Sequence, residues 1–176
     1  MIINEFDEDY IKDEFSDFTA NDFKHIMNEV MIVRFLKESN QIEGLYEIIT
    51  PHQIKAFKDF LDLDEISIAN LETFVATFEP KAKLRDKQFM DVSVGKYIPP
   101  KGGIKIVYKL SDLLNSILEM DPFIAHVQYE SIHPFTDCNG RSGRALWLWH
   151  MKKLRLNTSL GFLHTFYYQS LNNTRK

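Results

Sequence analysis

Cysteine is almost absent from this chain, because Cys138 is the single one among 176 residues. One thiol cannot form a disulfide within the chain, and it also excludes a zinc site built from cysteines. Apolar runs of membrane length are missing as well, and no basic leader opens the sequence, so we expect no membrane partner. Together these absences favour a protein of the reducing cytoplasm.

Basic charge is not in excess, because 21 Lys and Arg face 25 Asp and Glu and the net charge is −4. We therefore expect no nucleic-acid partner, and any phosphate site must be local. Glycine and proline are also few, at 7 and 6 residues, and no linker rich in them divides the chain. Apolar side chains are abundant, at 44% of the residues, which is enough to bury one sizeable core.

Most apolar residues recur at helical spacing, which predicts a mainly helical fold. A long helix is predicted from Asn21 toward Gly44, buried on much of its circumference. Thr50-Pro51-His52-Gln53 carries a helix-start signal, with an N-cap residue, a proline and a capping-box glutamine. Further helices are predicted over Ile66 to Phe78, after Ser111, after Asp121-Pro122 and after Gly161. A short helix is also predicted before about Phe18, for which a loosely docked arm is the alternative.

One region has an extended pattern instead. Apolar residues from Phe89 to Ile98 flank Gly95-Lys96, which predicts a short hairpin closed by Pro99-Pro100. A second extended run is predicted over Ile104 to Tyr108. The fold class expected from the whole pattern is mainly α with one hairpin.

The chemistry of the chain is concentrated between His133 and Arg144, in a segment that leads into an apolar helix. Its Asn-Gly-Arg part lies at the start of that helix, where unpaired N–H groups and the helix dipole favour an anion such as phosphate. The whole segment reads His-Pro-Phe-Thr-Asp-Cys-Asn-Gly-Arg-Ser-Gly-Arg.

Individual side chains of this segment suit nucleotide chemistry. His133 has an ordinary pKa of about 6.5 and can remove a proton near neutral pH. Asp137 offers a hard oxygen to Mg²⁺, which takes one or two carboxylates and completes its shell with phosphates and water. Backbone N–H groups near Asn139 and Gly140 can hold one phosphate.

Arg141 and Arg144 lie three residues apart, a spacing that places them on one helix face, from which forked hydrogen bonds can reach further phosphates. Taken singly, each residue of the segment has a structural alternative. A histidine before proline often caps a loop, an Asp or Asn in a turn often bonds its own backbone, and arginines on a helix face are often solvated. The combination favours function, because a structural turn has no need of a base, a metal ligand and cations together.

The segment resembles the signature of Fic-domain proteins, His-x-Phe-x-(Asp or Glu)-(Gly or Ala)-Asn-(Gly or Lys)-Arg-x-x-Arg. It fits at every specified position except Cys138, where the family has glycine or alanine. The likeness extends to the flap-like segment from Val92 to Pro100, the Asp121-Pro122 helix start and a pair of C-terminal tyrosines. It implies a Fic-type helical bundle with a β-hairpin flap, in which residues 1–47 form an N-terminal helical segment and residues 48–176 the Fic core.

The resemblance implies transfer of AMP from ATP to a Ser, Thr or Tyr hydroxyl of a target protein, with the chain itself as a further target. His133 then deprotonates the hydroxyl and Asp137 holds Mg²⁺. The glycine at position 140 favours AMP transfer, because the Doc-like, phosphate-transferring branch has lysine there. The implied nucleotide-binding residues are Asn139, Gly140, Arg141, Gly143 and Arg144, together with Tyr167 and Tyr168 at the adenine, for which core packing is the alternative.

The predicted hairpin has its own role under this resemblance. Val94, Gly95, Lys96, Tyr97 and Ile98 form a flap that docks the target by adding it as an edge strand.

Upstream, the segment from Ser39 to Gly44 resembles the inhibitory motif of the family, (Ser or Thr)-x-x-x-Glu-(Gly or Asn). The resemblance implies that Glu43 pairs with Arg144 and withdraws it from the γ-phosphate of ATP. The alternative is an ordinary helix end with Ser and Glu one turn apart.

Other functions stay open from the sequence. The same site could remove AMP from a modified target, with Glu43 orienting the attacking water, or it could be a nucleotide-responsive binding module without transfer activity. The intact base, metal ligand and arginines argue against the module, and the acidic charge balance disfavours a nucleic-acid regulator. The oligomeric state, including a homo-oligomer, is left open.

Overall fold

The computed structural model describes residues 20–156, with side chains from Val30 onward. The helices predicted before Phe18 and after Gly161, and with them Tyr167 and Tyr168, fall outside this range. Within it the chain is mainly helical, as predicted. The helices are α1 (Ala20–Ile42), α2 (Pro51–Leu61), α3 (Ile68–Phe78), α4 (Ile104–Ser116), α5 (Pro122–Ile132) and α6 (Asn139–Lys153), with a short 3-10 turn (Ile117–Glu119) between α4 and α5.

Local capping bonds start three of the helices. Thr50 and Gln53 form the predicted capping box at α2, with Gln53 N–H donating to Thr50 Oγ1 at 3.2 Å and Thr50 N–H to Gln53 Oε1 at 2.9 Å. Ser67 and Asn70 form a second box at α3. Asp121 accepts hydrogen bonds from the first N–H groups of α5. The starts predicted at Thr50 and Asp121 are confirmed.

The end of α1 is set by a glycine. Gly44 has φ +74°, and its N–H donates to Gln41 O at 3.0 Å while Leu45 N–H donates to Asn40 O at 2.9 Å. This pair of bonds is a Schellman motif, which leaves Glu43 as the last residue before the chain turns. The predicted stop at Gly44 is confirmed. Along α1, Phe35 and Leu36 are buried, whereas Val30 and Met31 are 38% and 39% exposed.

Helix α6 lies at the centre of the bundle and packs against α1, α2, α3 and α5. It is buried on nearly all sides, as expected for a helix surrounded by others. A cluster of phenylalanines from α1, α2 and α3 packs beside it, with ring centroids 4.7–6.0 Å apart. The N-terminus of α6, which carries the signature residues, is therefore held from several directions.

The second extended run is a wrong prediction. Ile104 begins α4, and Ser111 lies inside that helix instead of capping one. Ile106, Leu110 and Leu113 recur at helical spacing and are at most 3% exposed. Burial of this stripe outweighs the β preference of the isoleucine and valine residues that start the run.

The described residues contain no β-strand at the predicted hairpin. Val94 and Tyr97 form one isolated antiparallel bridge around Gly95-Lys96, with reciprocal N–H to carbonyl bonds of 2.9 Å. The pairing does not extend outward from this bridge: Pro99 and Pro100 have no N–H to donate, and other backbone groups of the segment bond to side chains. Met90 O and Pro100 O accept from Arg85, and Gly102 N–H donates to Asp91 Oδ1 at 2.8 Å.

None of the helices between residues 20 and 156 is both long enough and apolar enough to cross a bilayer.

Candidate active site

His133 follows the last residue of α5 in a left-handed conformation, with φ 51° and ψ 62°. Its N–H donates to Tyr129 O at 2.9 Å, and its carbonyl accepts from Arg85 Nη1 at 2.6 Å. The residue is half-buried. Its backbone is thus fixed on both sides, and the residue keeps the partial exposure that a candidate base requires.

The loop after His133 is fastened to residues 83–85 and to itself. Arg85 N–H donates to Pro134 O at 2.8 Å, and Thr136 N–H donates to Lys83 O at 2.9 Å. Phe135 is fully buried, and its N–H and C=O both bond the side-chain amide of Asn139 at 2.8 Å. The Asn139 amide therefore closes the loop, and the group that Asn139 can offer to an anion is its backbone N–H.

Helix α6 begins without a side-chain cap. Cys138 is the N-cap residue, it has φ 66°, and its thiol makes no capping bond. The first N–H groups of a helix lack intrahelical acceptors, so this end carries the partial positive charge that attracts anions. Burial raises the pKa of the Cys138 thiol to about 12, so the thiol stays neutral. A left-handed non-glycine residue costs roughly 1 kcal/mol, which a glycine at this position would avoid.

Asp137 is exposed, and its Oδ1 accepts the N–H of Cys138. Between residues 20 and 156 no three His, Cys, Asp or Glu side chains converge as a metal site. One carboxylate is still enough for Mg²⁺ when the remaining ligands are phosphate oxygens and water. The residues present therefore fit a magnesium ion that arrives with a nucleotide.

Arg144 is fully buried and is held by the end of α1. Its Nε donates to Ser39 Oγ at 2.8 Å, and its Nη2 donates to Ser39 O at 2.8 Å and to Glu43 Oε1 at 2.7 Å. The Glu43 side chain is 34% exposed. The structure thus places Glu43 beside Arg144 and adds Ser39 as a further partner of the same guanidinium.

Arg141 turns away from this cluster, toward the end of α3. Its Nη1 donates to Phe78 O at 3.1 Å, and its Nη2 lies 3.6 Å from Glu79 Oε2. The spacing of three residues therefore does not bring the two guanidinium groups together, because those of Arg141 and Arg144 bind the ends of different helices.

Two glycines of the segment have different neighbours. A Cβ atom at Gly140 would collide with Glu43 Oε1, so the Glu43 carboxylate lies directly over the first turn of α6. A Cβ atom at Gly143 would collide with Glu130 Oε1 and lie 2.9 Å from the ring of Tyr129. Gly143 therefore permits the close approach of α5, and its predicted contact with nucleotide finds no support in this geometry.

The turn predicted as the flap lies beside the end of α5. Tyr97 Oη donates to Ser131 O at 2.9 Å, two residues before His133. Lys96 and Ile98 are exposed, the latter by 80%. The turn is thus close to the candidate base along α5 and presents side chains to solvent.

Arg85 is a residue of the site that sequence reasoning missed. It is fully buried, and its guanidinium donates to carbonyls of Met90, Pro100 and His133. Burial lowers the pKa of its guanidinium, and the Asp91 carboxylate opposes that shift. The sequence carried no signal for it, since it lies in a run of charged residues that looks solvated.

Comparison with known protein families agrees with this arrangement. The Fic/DOC family matches residues 45–151, more than half of the chain. The chain belongs to the Fic/DOC family. Members of this family are typically transferases that pass a nucleoside monophosphate to proteins. In this Fic/DOC protein the matched region begins at Leu45, so α1 and Glu43 lie before it.

Proposed function

We propose that this Fic/DOC protein transfers AMP from ATP to a hydroxyl side chain of a target protein. The observation that carries the proposal is a single fastened loop that places a half-buried histidine, an exposed carboxylate and an uncapped helix N-terminus within seven residues, His133 to Asn139. Glycine at position 140 supports AMP transfer over the phosphate transfer of the Doc-like branch.

Each residue has a defined task in this reaction. His133 accepts the proton of the hydroxyl, whose oxygen then bonds to the α-phosphorus of ATP. The bond from the α-phosphorus to the bridging oxygen breaks, and pyrophosphate leaves with the electron pair. Backbone N–H groups of Asn139 and Gly140 bind the α-phosphate, and both arginines balance the charge of the leaving group.

Asp137 would hold Mg²⁺ against the phosphates. When bound, the ion neutralises charge on the phosphate oxygens and orients them.

We further propose that Glu43 restrains this activity. Its carboxylate lies over Gly140 and pairs with Arg144, so it competes with a terminal phosphate for the same cation and the same space. A triphosphate displaced from Arg144 loses the alignment that attack on the α-phosphorus needs.

The test is transfer of label from α-labelled ATP with Mg²⁺ to the chain itself and to a mixture of soluble proteins. We expect low transfer by the natural sequence and an increase on the order of 100-fold for Glu43→Gly, the size of effect that restored alignment produces. Adding His133→Ala to that variant should remove the signal. Undiminished labelling without His133 would contradict its role as base, and no gain for Glu43→Gly would contradict the restraint.

Hydrolytic removal of AMP from a modified protein, in which water attacks the phosphorus and AMP and the free hydroxyl are released, is a second candidate. The Glu43 side chain is partly exposed beside the anion site, so its carboxylate could orient an attacking water. The two candidates respond oppositely to Glu43→Gly, because that change would raise AMP addition and abolish AMP removal. Calorimetric titration with ATP and Mg²⁺, read together with the label-transfer assay, separates both candidates from a binding module. A binding module would bind the nucleotide without any transfer.

A further inference from the structure

The guanidinium of Arg85 connects three separate parts of the backbone. Nε donates to Met90 O at 2.7 Å, Nη1 donates to His133 O at 2.6 Å, and Nη2 donates to Pro100 O. Met90 and Pro100 lie on either side of the Val94–Tyr97 turn, and His133 carries the candidate base. One buried cation therefore links the turn and the base.

The base of the loop from Met90 to Gly102 is closed independently. Asp91 Oδ1 accepts the Gly102 N–H at 2.8 Å, and a Cβ atom at Gly102 would lie 2.7 Å from Lys87 O and 2.8 Å from Met90 O. Backbone packed this closely transmits a displacement at its base to the turn that it carries.

We propose that Arg85 is a positioning residue that sets the distance between the Val94–Tyr97 turn and His133, so that a protein segment docked on the turn presents its hydroxyl to the imidazole. This inference rests on the proposed transfer function and names a residue that the signature does not contain. Arg85 itself need not touch substrate.

Arginine is suited to this task for a physical reason. Its planar fork offers donors in fixed directions, whereas the ammonium of lysine is a compact charge on a flexible stem and cannot reproduce the same three bonds. The hydrogen bonds of Arg85 also reach none of the residues assigned to nucleotide binding. A change at Arg85 should therefore disturb transfer to protein and leave ATP binding in place.

The experiment compares Arg85→Lys with a matched control, Thr136→Val, in the Glu43→Gly protein. Thr136 Oγ1 accepts the Lys83 N–H at 3.0 Å, so the control removes a bond to the same loop without contacting the turn. Three quantities are measured for each variant: calorimetric affinity for ATP with Mg²⁺, label transferred to a fixed mixture of soluble proteins, and hydrogen exchange of the Tyr97 and His133 amides.

For Arg85→Lys we expect transfer to fall by about 100-fold, the effect of a displacement of about 1 Å, while the dissociation constant of ATP stays within about twofold. Exchange should rise at both amides, whereas Thr136→Val should leave exchange at Tyr97 unchanged. Unchanged transfer in Arg85→Lys would overturn the proposal. So would a parallel loss of ATP affinity and transfer, because Arg85 would then support the fold as a whole.

Failure of the proposed function gives a different result. In that case the Glu43→Gly parent transfers no label. The hydrogen-exchange data still test the role of Arg85. Unchanged exchange of the Tyr97 amide in Arg85→Lys would show that Arg85 does not position the turn.

Discussion

Arg141 and Arg144 lie one helical turn apart in α6, yet they are held in different ways. Arg144 is bound by a hydroxyl, a carbonyl and a carboxylate, all at 2.7–2.8 Å and all from the end of α1. Arg141 has one carbonyl at 3.1 Å at the end of α3 and a carboxylate at 3.6 Å. One arginine has a close ionic partner, and the other has mainly a backbone acceptor.

Under the proposed function, this difference decides which arginine the restraint by Glu43 acts on. A carboxylate is an anion, so the phosphate of a nucleotide can compete with Glu43 for Arg144. The Phe78 carbonyl belongs to the terminus of a helix, and Arg141 stabilises the negative end of the α3 dipole there. Under the proposed function Arg141 therefore keeps a structural contact beside its phosphate contact, while Arg144 exchanges the Glu43 carboxylate for a phosphate.

Arg144→Met should cause the largest loss of stability. The substitution leaves the Glu43 carboxylate without its cation, so we expect the free energy of unfolding to fall by about 3 kcal/mol, the lower end of the range for a broken buried pair. The lower end applies because the Glu43 side chain is 34% exposed. Urea unfolding measures the change, with Arg144→Met/Glu43→Gln as the control that should recover part of it.

Arg141→Met should cost less. It removes one charge-assisted bond to the Phe78 carbonyl, worth about 1.5 kcal/mol, and an ion pair too long to add much. The same urea unfolding applies. A loss of unfolding free energy equal to that of Arg144→Met would mean that the two arginines contribute equally to stability. That result would contradict the difference drawn between them.

Glu79→Gln should have the smallest effect. A pair at 3.6 Å with a partly exposed carboxylate contributes less than about 0.5 kcal/mol, so both stability and transfer in the Glu43→Gly background should stay nearly unchanged. Label transfer from ATP is the measurement. A gain comparable to that from Glu43→Gly would show that Glu79 restrains Arg141 as Glu43 restrains Arg144.

Much of the fold was predictable where the signal was local. The capping residues at Thr50 and Asp121 and the glycine stop at Gly44 act on groups within five positions, so the sequence pattern and the structure agree there. The extended run at Ile104 was mispredicted because its β-branched residues suit a strand. The burial of one helical face of this segment depends on its packing against α5 and the rest of the core, which is a tertiary contact.

The candidate site divides in the same way. The order of residues along the chain is enough to single out His133, Asp137 and the start of α6 as the candidate reactive loop. Gly143 was also predicted to contact nucleotide, although its position faces Tyr129 and Glu130. A spacing of three residues also suggests a shared face for two arginines of α6, but long side chains from one face can reach different neighbours.

The sequence by itself determined the helix starts at Thr50 and Asp121, the end of α1 and the identity of the candidate loop, because each depends on neighbours in the chain. The tertiary structure decided which partner each buried cation binds. Arg144 meets Ser39 across 105 positions, and Arg85 meets His133 across 48. A buried guanidinium must find acceptors wherever the packed backbone supplies them, and that supply exists only after the helices have packed.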